Sequence, residues 1–446
     1  MKHTLRIGAG AGFSGDRIEP AVLLAERGEL DYLVCECLAE RTVALAVRAR
    51  TRDPEAGFDP YLEERMTAVL PAAVRNKVRI VSNMGAAHPV AAARRTAAIL
   101  RRLGLRGLKV AAVTGDDLLP SLRAGSLPLS DLPGQQRRCR GERVSANAYL
   151  GCPPIVTALE QGADIVLTGR VADPSLFLAP MVREFGWSLD DWHRLGQGTV
   201  IGHLLECAGQ VTGGYFADPP CKVVPGLADL GFPLAEVGED GTAVLTKVAG
   251  TGGEVTLATC REQLLYELHD PSRYLTPDVV ADFSAVRLEQ LARDRIRVSG
   301  GRGSVRPDQL KVSLGHDEGF CGEGQISYAG PGALERGLLA RAILEERIRR
   351  VGSSLVDLRC DLIGVDSVSA GYGRSHAAPA EVRVRLVGRS MDAGVAARVG
   401  REVEAMYTNG PAGGGGATSV VRPMLVIESA LVARDAVQAA VHWEES

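Results

Sequence analysis

Short, wholly apolar runs alternate with amphipathic stretches through the first half of the chain. Residues 5–9, 31–35, 78–82, 109–113 and 164–168 are rich in Val, Ile and Leu and too short for helices, whereas 18–27, 61–75, 89–103 and 153–161 repeat apolar positions at helical spacing. Continuous apolar strands separated by helices have both faces covered, which predicts an α/β fold with a doubly wound, mostly parallel, Rossmann-like sheet. After Pro219-Pro220 the texture changes. Strand-like runs at 243–248, 285–288, 309–314, 381–386 and 423–428 now have fewer helices among them, mainly 333–350 and 392–407. That pattern predicts a Rossmann-like domain over 1–218 and a second, α+β domain with a more antiparallel sheet over 219–446. No repeats or coiled coil occur.

A parallel sheet binds its ligands beyond the carboxyl ends of its strands, and the residues there carry the candidate chemistry. The first run leads into Gly8–Arg17, the second into Cys35-Glu36, the third into Ser82-Asn83-Met84-Gly85 and the fourth into Thr114-Gly115-Asp116-Asp117. The fifth leads into Thr168-Gly169-Arg170-Val171-Ala172-Asp173-Pro174. Gly, Asn and Asp end strands everywhere, but an arginine and several carboxylates at one edge exceed what turns require and predict a site.

Gly10, Gly12 and Gly15 have G-x-G-x-x-G spacing, and Glu36 lies near the roughly 20-residue offset at which an acid would meet a ribose hydroxyl. Asp16, however, stands where a phosphate would need a positive helix N-terminus. Together with Arg17, and with Ser14 beside it, it suits a small charged or hydroxylated ligand better than a pyrophosphate. Arg170 offers a planar fork for a carboxylate or phosphate. Asp173 either orients that fork, acts as a base, or caps the helix beginning at Pro174. His203 and Glu206 stand three apart, on one helix face, a spacing that serves metal binding or proton transfer. Without H-E-x-x-H or a second His/Asp/Glu cluster, no metal is expected. Glu206 in an apolar segment is the best acid/base candidate, with burial as a structural partner the alternative. Asn83 and Asn147, near Gly85 and Gly151, are placed to hold a carbonyl oxygen or simply to close turns. No G-x-S-x-G elbow or matched nucleophile and base occurs. In the second domain, Asn409, Gly413 and Gly414 belong to a glycine-rich stretch, 409–416, read as a loop closing over a ligand or a neighbouring chain.

Composition narrows the partners. The 446 residues carry a net charge of −3 and are 46% hydrophobic, which gives no reason to expect nucleic acid or membrane binding. Arg137, Arg138, Arg140 and Arg143 lack interleaved aromatics and read as a solvated loop. Nine cysteines without C-x-x-C repeats read as reduced thiols. With no signal-peptide pattern and no apolar run of about 18 residues, a cytoplasmic protein is expected.

The stretches GAGAGFSGDR, LDYLVCECLAERT, SNMGAAHP, NAYLGCPPIVTALEQGADIVLTGRVADPSLFLAP, GHLLECAGQVTGG and YTNGPAGGGG, in this order, resemble the acyclic terpene utilisation AtuA family. The resemblance implies an enzyme of acyclic terpenoid or branched-acid breakdown, whose substrates are carried as coenzyme A thioesters. It also implies a small ferredoxin-fold partner subunit, since family members are often accompanied by, or fused to, such a domain.

Taken together, these readings lead to metal-free acid/base work on a small carboxylate or its coenzyme A thioester, as a hydro-lyase or related lyase. Asp16, Glu36, Asp116 and Glu206 are expected to transfer protons, Arg17 and Arg170 to hold an anionic group, and Asn83 and Asn147 to place a carbonyl. Gly12, Gly15, Gly85 and His203 line the ligand. No cofactor is required, coenzyme A entering only as part of the substrate. A homo-oligomer with a shared site is expected. A non-catalytic acyl-CoA-binding or scaffold subunit and an NAD(P)-dependent oxidoreductase are the alternatives.

Overall fold

A computed structural model of the chain describes residues 4–134, 139, 141–351, 354–368 and 379–446; Arg137, Arg138 and Arg140 lie outside them. The first half holds β1 (Thr4–Ala11), α1 (Glu19–Arg27), β2 (Tyr32–Cys35), α2 (Glu40–Arg52), α3 (Leu62–Arg75), β3 (Arg79–Ser82), α4 (Pro89–Arg102) and β4 (Lys109–Thr114). There follow β5 (Glu142–Ala148), α5 (Pro153–Glu160), β6 (Ile165–Thr168), α6 (Asp173–Phe185) and α7 (Trp192–Glu206). The second half adds β7 (Pro233–Gly238), β8 (Ala243–Lys247), α8 (Leu257–Leu265), β9 (Arg287–Ala292), β10 (Arg295–Ser299), β11 (Gln309–Ala329) and α9 (Ala333–Val351). It ends with β12 (Val356–Ile363), β13 (Glu381–Ser390), α10 (Ala393–Glu404), β14 (Gly415–Ala433) and β15 (Ala440–Glu445).

Ten strands form one mixed sheet in the order β9-β10-β8-β7-β1-β2-β3-β6-β4-β15. Its middle, β1-β2-β3-β6-β4, is parallel. The steps from β1 to β2, to β3 and to β4 all run one way, so right-handed crossovers put α1, α3 and α4, which pack side by side, on one face. The step from β4 back to β6 reverses, which sends α5, α6 and α7 to the other face, where they pack on one another. The direction in which successive strands are added switches between β3 and β6. A crevice is expected beyond the carboxyl ends of that strand pair. Prolines in the first turns of α1, α4, α5 and α6 set these helix starts rigidly at the same edge.

Two expectations are corrected. The sheet is not mostly parallel: β7 pairs antiparallel with β1, β8 with β7 and β15 with β4, so both flanks are antiparallel. Its parallel order also differs from the two mirrored halves of a dinucleotide-binding sheet. The chain divides into two compact units, one of Met1–Arg137, Val144–Gly315 and Ile427–Ser446, the other of Arg138–Arg143 and His316–Val426. The boundary expected at 218/219 falls inside the larger unit, because β7 and β8 continue the first sheet instead of starting their own.

The smaller unit takes the second part of β11, then α9, β12, β13, α10 and the first part of β14. Its strands lie in the order β12-β13-β11-β14, antiparallel between β11, β13 and β12. A βαββαβ chain with that order is the split βαβ arrangement of ferredoxin-like units. Val382, Val384 and Leu386 of β13 turn inward with Ile326 and Tyr328, and α9 and α10 cover them with Leu344, Ile348, Val399 and Val403. The stretch 409–416 is not wholly a loop: β14 begins at Gly415. Asn409 bonds the Ala405 carbonyl, and a side chain at Gly413 or Gly414 would meet Arg336 or Tyr328 of the same unit. Among the described residues, no helix is long and apolar enough to cross a membrane. Among the described residues no disulfide is formed.

Candidate active site

Helices α6 and α7 bring the decisive side chains together. α7 is buried on all sides from Leu195 to Glu206, its polar Gln197, Thr199, His203 and Glu206 included, and shows no amphipathic stripe. Gly202 lets it sit on the first turn of α6: a Cβ there would lie 2.8 Å from the Pro174 carbonyl oxygen. Asp173, the first residue of α6, and Glu206, the last of α7, therefore share one end of the helix pair. That end is the carboxyl edge of the sheet, where Glu36 leaves β2.

Asp173 raises the other two carboxyl groups, and burial raises all three. Glu36 is buried, and burial followed by the charge of Asp173 holds its carboxyl well above the usual range, although the Asn83 amide and the Leu38 N–H both donate to its Oε1 at 2.7 Å. Asp173, with 36% of its side chain exposed, is the most open of them and is also raised by the protein around it, against the pull of Arg170. Glu206 is pushed up to about 7 by burial, with Asp173 adding to it and His203 opposing. Its place at a helix C-terminus acts in the same direction. Its Oε1 meets His203 Nδ1 at 2.9 Å, and its buried Oε2 has no hydrogen-bond partner. The His203 ring is enclosed by Tyr274 and Phe283, with centroids at 5.5 and 5.3 Å. Burial works against its charge, but Glu206 outweighs this and raises it.

Arg170 stands in the middle, 1% exposed. Its guanidinium donates to the Val171 carbonyl, to the Leu38 carbonyl and to Asp173 Oδ1, and lies 4.6 Å from the Tyr149 ring centroid. A guanidinium so enclosed orients Asp173 and the 36–38 turn instead of presenting a fork to a ligand. The backbone N–H of Arg170 donates to Asp116 Oδ2 at 2.9 Å, and the Asn147 amide donates to the same oxygen at 2.8 Å.

The family model described as "Acyclic terpene utilisation family protein AtuA" matches residues 5–443. The chain belongs to this family. Membership associates it with acyclic terpene utilisation. Nothing matches among curated proteins or among solved structures.

The AtuA motifs thus separate into groups that meet and groups that are already spent. GHLLE, GRVAD and CECLAE supply Glu206, Asp173 and Glu36, which meet. The GAGAGFSGDR loop is closed on itself: Asp16 accepts from the N–H groups of Gly12 and Arg17, both at 2.9 Å, and Arg17 donates to the carbonyls of Leu227 and Ala228. Those two N–H groups are what a phosphate would need. Gly12 is required for a different reason, since a Cβ there would lie 2.5 Å from the carbonyl carbon of Cys207. Arg65 of α3, buried, binds the Ser14 and Asp16 carbonyls from behind, and a Cβ at Gly15 would meet the Phe13 ring at 3.0 Å. Asn83 and Asn147 each donate an amide N–H to a carboxylate, of Glu36 and Asp116 respectively. Gly85 lets the turn after β3 pass the Thr168 carbonyl oxygen, 2.5 Å from where its Cβ would be. Asp173 does not cap α6, whose N-cap is Ala172.

Glu40 and Tyr149, within the quoted stretches but not singled out there, and Lys311, outside them, complete the edge. Tyr149 donates to Glu40 Oε1 at 2.6 Å, and Lys311 reaches the same oxygen at 3.1 Å. Burial works against the Glu40 charge, but Tyr149 and Lys311 outweigh it and hold the carboxyl at about 2. Among the described residues no group of three or more His, Cys, Asp or Glu is arranged to hold a metal ion. A cavity of about 470 Å³ opens at the opposite, amino edge of β2, β3 and β6. Its polar side chains close on one another, with Tyr32 donating to Glu184 at 2.6 Å and Arg79 to Tyr32 at 3.0 Å. The unpartnered Glu206 oxygen lies at the other, carboxyl edge.

Asp116 gives a test of this electrostatic picture. Burial pushes its carboxyl up to about 6, from an ordinary 3.8. The folded state therefore holds this proton more tightly than the unfolded chain. The resulting stabilisation is full below pH 4 and is lost as the pH rises through 6, amounting to roughly 3 kcal/mol. Asp116→Asn, whose amide oxygen can accept from both Arg170 and Asn147, is expected to remove that part of the pH dependence. Urea unfolding of both proteins at pH 4.5 and 7.5 measures it, and equal slopes would reject the buried, raised Asp116.

Proposed function

We propose that this AtuA-family chain is an acid/base lyase of carboxylate or acyl-CoA metabolism that adds or removes water at a branched or unsaturated acid or its coenzyme A thioester. The carrying observation is Glu206, a buried carboxyl pushed to about 7 with one unpartnered oxygen and a histidine on the other. A group poised there exchanges protons in both directions near neutral pH. In the dehydration direction, the Glu206 carboxylate takes the proton α to the carbonyl. The C–H electron pair becomes the new double bond, and the β C–O bond breaks. Asp173, open enough to meet the substrate and raised by burial, protonates the departing hydroxyl to water. Arg170 and Asn83 hold Asp173 and Glu36 in place, and His203 orients Glu206.

The test supplies a branched 3-hydroxyacyl thioester and follows the enoyl absorbance, together with deuterium uptake at the α-carbon in D2O. Growth of the absorbance and exchange of the α-proton are expected. Tight binding with neither would replace this reading by the non-catalytic acyl-CoA-binding one.

A further inference from the structure

Arg170 is enclosed, and among the described residues Lys311 offers a more open cation beside it. Lys311, near the start of β11, has 42% of its side chain exposed. Its Nζ lies 4.8 Å from the Tyr149 ring centroid, while the Arg170 guanidinium lies 4.6 Å from the same centroid. Tyr149 thus links a buried guanidinium to an open ammonium. Its backbone N–H also donates to the Lys311 carbonyl at 2.8 Å, which fixes the two residues side by side. Asp173 feels the Lys311 charge directly. Glu40, ionised across the physiological range, neutralises Lys311 through one oxygen, and an ammonium has three donors.

Composition adds weight. Of the 51 basic residues only six are lysines, at positions 2, 77, 109, 222, 247 and 311. A chain that uses arginine almost everywhere places a compact, strongly hydrated ammonium beside Asp173. Such a point charge binds a carboxylate without the rigid two-point geometry that a guanidinium imposes.

We propose that Lys311 is the anion-binding residue of the site, gripping a carboxylate of the substrate, and that Arg170 is a positioning residue acting through Asp173. The proposal rests on the acid/base reading for the location of the site, and its test is separable from that reading.

Pyridoxal 5′-phosphate is the probe. Its aldehyde condenses with a lysine amine to an imine with loss of water, and borohydride reduces the imine to a stable secondary amine that peptide mass spectrometry locates. Lys311 is expected to label at least threefold faster than Lys77 and Lys109, and millimolar isovalerate to slow labelling at Lys311 only. Equal labelling, or no protection by isovalerate, overturns the proposal. In parallel, Lys311→Met is expected to raise the isovalerate Kd tenfold or more and Lys311→Arg to recover part of the loss. A Lys311→Met protein that is less stable but binds isovalerate with unchanged Kd would make Lys311 only a structural partner of Glu40 and overturn the proposal too. Protection at Lys311 without α-proton exchange would leave this anion site standing and defeat the lyase reading; exchange without protection would do the reverse.

Discussion

Glu206→Gln is expected to lower turnover of a thioester substrate by about 10²–10⁴-fold, the usual contribution of a positioned acid/base group, while leaving the protein folded. The substitution keeps the shape and keeps an oxygen for His203 Nδ1, 2.9 Å away in the native protein, but it cannot accept the substrate proton. The pH behaviour separates this from a packing effect. Glu206 works as a base only when ionised, so the native rate rises through pH 7, where its carboxyl titrates, and that limb vanishes in the variant. Stability moves oppositely. A buried carboxyl with a raised folded pKa stabilises the fold while protonated, and that stabilisation is lost as pH rises through 7. The glutamine protein is therefore expected to unfold no earlier than the native protein at pH 8. Full turnover in Glu206→Gln, or a pH limb that survives, would remove Glu206 from the reaction.

Arg170→Met is expected to destabilise the protein by about 3–5 kcal/mol, the cost of breaking a buried ion pair from one side. The guanidinium is enclosed, and its loss strands two carbonyls, of Leu38 and Val171, and leaves Glu36 and Asp173 facing each other with no cation between them. Both carboxyls then shift further upward. Asp173→Asn on the Arg170→Met background is expected to regain part of the stability by removing one of the two facing charges, an interaction read as the non-additive term of the double-mutant cycle. Urea unfolding at pH 7.5 measures all four proteins. A loss below 1 kcal/mol for Arg170→Met would mean that solvent reaches the guanidinium and that it is free to bind ligand after all.

The sheet and its edge were legible because buried parallel strands write themselves as short apolar runs. The runs at 31–35, 109–113 and 164–168 overlie β2, β4 and β6, and the helical stretch 61–75 overlies α3 within one residue. Glu36, Asp173 and Glu206 were legible for the same reason, as acids where an apolar run ends or within one. What spacing does not show is which polar groups are already used. Asp16 and Arg17 look reactive in the sequence, yet local backbone N–H groups and the carbonyls of 227 and 228 satisfy them. Arg170 looks like an anchor until the Leu38 carbonyl, 132 positions away, is found on it. Lys311 carries no motif, and it meets Tyr149 only through the fold. The apolar run 309–314 marks only the start of β11, which continues to Ala329, because Gly315, Gly319, Gly322 and Gly324 remove the side chains whose alternation would mark it. Antiparallel runs after 219 look alike whether they found a new sheet or flank an old one.

The strand at 440–445 closes the outer edge of β4, yet it follows the whole His316–Val426 run of the smaller unit in the chain. During synthesis the smaller unit emerges complete while the larger one still lacks its outermost strand. Until those residues leave the ribosome, β4 presents a bare row of backbone donors and acceptors, the kind of edge that recruits strands from other chains. A ribosome stalled before Ala440 would therefore release a polypeptide prone to aggregate through β4, however well its catalytic edge had formed.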